Sequence, residues 1–78
     1  MKNADAENMV KNVVALLKEE RQRQKLSYSK LSLKAGIHYT TISLIERGKQ
    51  SPTLLICKKL CVALNISLAS IIKKSENV

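Results

Sequence analysis

The chain has no phenylalanine, no tryptophan, one proline, two glycines, one histidine and two cysteines among its 78 residues, and only six of those residues are acidic. Each shortage excludes something. Aromatics are limited to Tyr28 and Tyr39, and β-branched residues are scattered rather than alternating with polar ones, so no stretch reads as a run of strands. Gly36 and Gly48 stand apart from each other, which leaves no glycine-rich loop to cradle a nucleotide phosphate. His38 has no second histidine or carboxylate at ligand or catalytic spacing, so a metal site or a hydrolase has almost nothing to be built from. The expectation is no catalytic residue, no metal, no cofactor and no enzyme activity.

Long apolar runs are lacking too. Val13 to Leu17 and Leu54 to Cys57 fall far short of a membrane span, and no basic region followed by an apolar stretch opens the chain, so a soluble cytoplasmic protein is expected. Two cysteines in such a chain make a poor disulfide framework. What is present is positive charge: 14 Lys and Arg against six acids leave a net +8, which points to a polyanionic partner, nucleic acid or anionic lipid. The lipid reading is the poorer one, because the basic residues do not line one long amphipathic face. Area scaling gives about 12,600 Å² for the unfolded chain and about 4,700 Å² folded, enough burial for one small core with little room for a catalytic cleft or an effector pocket.

Along the chain, residues 1–8 are small and polar and read as a flexible N-terminus, with Asp5 or Asn8 available as a cap. A domain is expected over 9–73 and a C-terminal tail over 74–78. Val10, Val13, Val14 and Leu17 fall on one face of a first helix from Met9 to near Leu26. Ser27 caps a short second helix with Leu31 and Ala35 on its apolar edge, ended by Gly36. A third helix carries Ile42 and Ile45 inward and meets Gly48. Ser51, Pro52 or Thr53 starts a fourth, with Leu54, Cys57, Cys61 and Leu64 at helical spacing; Asn65 breaks it, and Ser67 caps a last one through Leu68, Ile71 and Ile72.

Two short helices joined by a glycine turn, the second rich in small polar side chains, have the sequence form of a helix-turn-helix. The segment from Ser27 through Gly48 resembles that of the lambda-repressor-like, Cro/CI-type (XRE) family, and the likeness reaches Arg21 upstream and Ser51 to Leu54 and Ala63 to Leu68 downstream. It covers about residues 10 to 72. The resemblance implies an all-α fold, a compact bundle of about five helices. It also implies a sequence-specific transcriptional regulator of repressor or controller type, nucleoid-associated, reading double-stranded DNA at a pseudo-palindromic operator as a homodimer, with no small-molecule effector.

Carried over by position, Tyr39, Thr40, Ser43 and Leu44 are the expected base-reading residues. Tyr28, Ser29, Lys30, Thr41, Arg47 and Lys49 are the expected phosphate contacts, and Arg21 and Glu46 the expected structural ion pair. Residues 38 to 46 contain no Lys or Arg, so the common bidentate arginine-to-guanine contact is missing from this helix, and the contacted steps are expected to include A·T pairs. The sequence departs from the family pattern at Tyr28, where glutamine is usual, at His38, where a small N-cap is usual, and at Glu20, a commonly apolar position that suggests a loose end to the first helix.

Plainer readings stand beside these. Tyr28 either touches DNA or lies over the core with its hydroxyl in water, and His38 caps a helix or sits at the surface, a pH switch being the lesser alternative. Cys57 and Cys61, at i and i+4, read as small core residues rather than metal or redox groups. Leu55, Ile56, Val62 and Ile72, together with Leu33, exceed what inner helix faces require; the first four are the expected dimer interface. The alternative function is a protein-interaction adaptor or antitoxin whose main partner is another protein.

Overall fold

The computed structural model describes residues 3–76, and among them it contains five helices and no strand: α1 Asn3–Arg23, α2 Tyr28–Ala35, α3 Tyr39–Glu46, α4 Leu54–Ala63 and α5 Leu68–Glu76. The expected all-α bundle is the observed one. Its core is Val13 and Leu17 of α1, Leu31 of α2, Ile37, Ile42 of α3, Cys57, Leu60 and Cys61 of α4, Leu64, and Ile71 of α5. α1 packs mainly on α5, and α2 on both α3 and α4. No single helix among the described residues is long and apolar enough to cross a membrane.

Capping explains where α2, α4 and α5 begin. Ser27 Oγ accepts from Lys30 N (3.1 Å), Thr53 Oγ1 from Ile56 N (3.1 Å) and Ser67 Oγ from Ser70 N (3.2 Å), each an N-cap side chain satisfying an amide that has no partner inside its helix. The ends share one device. Lys25, Gly36, Gly48 and Asn65 take left-handed backbone conformations (φ 57°, 67°, 74° and 58°) after α1, α2, α3 and α4 in turn. The amide just beyond each reaches back over the last turn: Leu26 N to Arg21 O (3.1 Å), Ile37 N to Ser32 O (3.3 Å), Lys49 N to Leu44 O (2.8 Å) and Ile66 N to Cys61 O (2.9 Å).

Four boundaries and placements differ from the sequence reading. α1 begins at Asn3 rather than Met9, because Ala4, Ala6 and Glu7 are good helix formers and Asp5 suits the positive end of the helix dipole. Its end is Arg23, ahead of Leu26: Lys25 adopts the conformation that glycine or asparagine usually supplies, a signal its side chain does not carry. α5 continues past Ile72 to Glu76, held against α1 by Asn12 Nδ2 donating to Ser75 O (3.1 Å), while the buried Ser75 hydroxyl donates to Ile71 O (2.7 Å). Leu54, spaced as a core residue, is 72% exposed, and Leu60 fills the interior instead.

The first helix is not loose at Glu20. That carboxylate accepts from Gln24 Nε2 (2.8 Å) and pairs with Arg23, and Gln24 Nε2 also donates to the carbonyl of Leu64 (2.7 Å), tying the end of α1 to the end of α4. These donors hold the Glu20 pKa below its ordinary value.

Cys57 and Cys61 are free thiols packed into the core, Cys61 with no exposed surface. Burial raises both thiol pKa values, and Cys57 adds to the effect at Cys61. A raised folded-state pKa means that the stability they lend is present below the ordinary thiol range and falls as pH rises through it. Iodoacetamide at neutral pH is expected to modify neither thiol until the chain unfolds, and both at once in guanidinium; fast modification of native protein would contradict this packing.

Candidate nucleic-acid interface

The helix-turn-helix is assembled from α2, the turn at Gly36 and Ile37, and α3. Gly36 has a positive φ of 67° that an L side chain adopts only with strain, and the following residue, Ile37, is buried, so the turn is pinned into the core directly after the left-handed position. Ile42 and Ile45 are 1% and 2% exposed and anchor α3, which leaves its opposite face to solvent.

On that face the sequence-chosen residues divide. Tyr39 (53% exposed) and Thr40 are exposed at the first turn of α3. Thr41, Ser43 and Leu44 are only half-buried neighbours of that face. Ser43 is engaged: its Oγ accepts from Arg47 Nε (3.2 Å), so its oxygen already steadies an arginine, while its O–H is left to donate. Ser29, Lys30, Arg47 and Lys49 are exposed on either side of α3, three of them cationic. The exposed reading face is thus neutral and its flanks are positive.

His38 is the N-cap of α3. Its Nδ1 accepts from Thr40 N (3.2 Å), which requires the ring proton on Nε2, and the imidazole stacks on the Tyr39 ring at 5.1 Å with 23° between planes. The capping role was legible; the stack was not, although the adjacency of the two rings at a helix start is its signal. It restricts the Tyr39 side chain before any ligand arrives.

Beneath the interface, Arg21 joins three elements. Nε and Nη2 grip Glu46 Oε2 and Oε1 at 2.7 and 2.8 Å, Nη1 donates to Leu26 O at 2.7 Å, and the guanidinium lies 4.6 Å over the Tyr28 ring. The fork geometry suits guanidinium and carboxylate, and Glu46 keeps the Arg21 charge in place by raising its pKa. Tyr28, half-buried, therefore lies against both the core and this ion pair, so its ring supports α2 against α1 whatever its hydroxyl touches.

On the far side, away from α5, α1 and the α3 to α4 loop enclose an open groove of about 690 Å³. Most of its α1 lining, Val10, Lys11, Val14, Ala15 and Lys18, falls within the helix expected from sequence, and the N-terminal extension adds Ala6 and Glu7. No group of three or more His, Cys, Asp or Glu among the described residues is arranged to hold a metal.

A buried-backed short helix, presented after a left-handed glycine and flanked by cations, defines a helix-turn-helix module. The helix-turn-helix family model matches residues 17–71, most of the chain. The chain belongs to that family, the Cro/CI-type (XRE) helix-turn-helix proteins, and is a DNA-binding regulator. No curated protein matches it.

Proposed function

We propose that the protein is a repressor or controller that reads the major groove of a pseudo-palindromic operator as a homodimer, working in the cytoplasm at the nucleoid. The observation that carries the sequence-specific part is the separation of roles on the surface. Tyr39 and Thr40 project from a helix free of Lys and Arg, and Lys30, Arg47 and Lys49 flank it. Phosphate contacts then supply attraction and register, while a phenol, a threonine and the Leu44 side chain select sequence. The methyl of Thr40 and the Leu44 side chain suit thymine methyl groups, which favours a site containing A·T steps.

The dimer is supported by α4, which has two apolar faces. Cys57, Leu60 and Cys61 turn inward, whereas Leu54, Leu55 and Val62 are 72%, 63% and 65% exposed and fall within about 100° of helical arc, centred about 120° round the helix from the inward set. Ile56 and Ile72 are half-buried against the core and contribute edges rather than the centre of such an interface. Two-fold pairing would set two α3 helices about 34 Å apart, one turn of duplex.

Binding to selected operator DNA over a range of salt tests the reading. A dimer neutralising two or three phosphates per subunit is expected to give a log–log slope of roughly −4 to −5. Tyr39→Ala should cost about 10- to 100-fold in discrimination with an unchanged slope, and Arg47→Ala should flatten the slope while leaving discrimination intact. A selected half-site dominated by guanine, or a monomer at micromolar concentration both free and on DNA, would overturn the corresponding part.

A further inference from the structure

The groove beside α1 follows the helix from Ala6 to Lys18. At about 1.5 Å per residue, α1 is roughly 31 Å long, so it runs along most of the molecule's 37 Å longest dimension. Its face toward α5 is buried. Its other side repeats Ala6, Val10 and Val14 at i, i+4 and i+8, and these line the groove together with Ile45 and Pro52. Gly48 and Ser51 in the facing loop carry too little side chain to fill it, so an apolar trough stays open to solvent.

The rim is basic. Lys11 and Lys18 of α1 and Arg47 at the end of α3 border it, against one free carboxylate, Glu7; the other, Glu46, is already gripped by Arg21. We propose that this groove docks an acidic amphipathic helix of a partner protein, its apolar stripe against Val10, Val14 and Pro52 and its carboxylates toward Lys11, Lys18 and Arg47. The apolar floor and the charge of the rim select this occupant. A second copy of the chain is a poor one: its exposed apolar stripe, Leu54, Leu55 and Val62, shares α4 with Lys58 and Lys59 and no carboxylate, so it brings no acid to the basic rim.

Arg47 belongs both to this rim and to the flank of α3. Docking therefore competes with DNA for one guanidinium, and an acidic partner would lower operator occupancy. That competition rests on the proposed DNA interface, whereas the docking does not.

The test uses the full chain and a synthetic 14-residue peptide with leucine at positions i, i+3, i+4 and i+7, glutamate at the remaining outer positions and alanine elsewhere. Without DNA, saturable binding is expected, with amide shifts concentrated at Ala6, Val10, Val14, Ala15, Gln50 and Ser51. Ala15→Glu, a substitution at an exposed groove-lining site, and the pair K11E/K18E should each weaken binding at least tenfold. K58E/K59E, an equal charge change on α4, should alter it less than twofold. Equal weakening by K58E/K59E, shifts centred on α2, α3 or α4, or no saturation at millimolar peptide would overturn the proposal. So would a change in self-association caused by Ala15→Glu, which would make the groove an interface between copies. With DNA added, the peptide should raise the apparent Kd for operator; peptide binding without that effect would retain the dock and remove the competition.

Discussion

Arg21→Ala is expected to lower stability by about 3 kcal/mol. The Glu46 side chain is only 7% exposed, so removing its partner leaves a carboxylate desolvated without compensation, and the Leu26 carbonyl and the Tyr28 ring lose their guanidinium in the same step. A chain of this size has about 4 to 12 kcal/mol in total, so the loss is a large share. Calorimetry should show the melting temperature falling by about 12 to 24 °C. Arg21→Lys should recover little, because an ammonium cannot make two parallel bonds to one carboxylate. Removing both charges, with Arg21→Met and Glu46→Leu together, should cost less than Arg21→Ala alone, since neither partner is then stranded. A loss below about 1 kcal/mol would show that the pair is screened as surface pairs are.

Ile42→Ala is expected to be of similar severity, about 2 to 5 kcal/mol, and its effect on function is the more informative. α3 has eight residues, too few to persist as a helix by propensity in water, so its packing holds it. Ile42 is 1% exposed and Ile45 2%, and they are the buried residues of α3. Deleting most of the Ile42 side chain should free α3 to tilt and fray, and operator affinity measured well below the melting transition should fall more than the folded fraction accounts for. Tyr39→Ala supplies the contrast: its side chain is 53% exposed, so its melting temperature should stay within a few degrees of wild type while discrimination falls. If Ile42→Ala binds operator normally at low temperature, the orientation of α3 is set by the turn at Gly36 rather than by the core.

Much of the architecture was legible because it is written locally. Ser27, Thr53 and Ser67 cap helices through their own side chains, and Gly36, Gly48 and Asn65 end them through residue-specific tolerance of positive φ. Lys25 does the same work without any such tolerance, so the end of α1 is not legible in the sequence. The inward positions Val13, Leu17, Leu31, Ile42 and Ile45 followed from period alone. Leu54 did not: periodicity says which residues share a face, and α4 has two apolar faces, only one of which meets the core.

The candidate interface divides along the same line. Its neutral reading helix and basic flanks are properties of the sequence, because charge and helix register need no third dimension to be counted. Two things required the fold. Arg21 meets Glu46 across 25 positions of chain, and α1 stands far enough from the α3 to α4 loop to leave a groove. Caps, helix ends and charge placement are short-range and discrete, so the sequence by itself determined them. Which of two apolar faces is covered and where a surface stays open depend on distances between segments remote in the chain, and only the tertiary packing decided those.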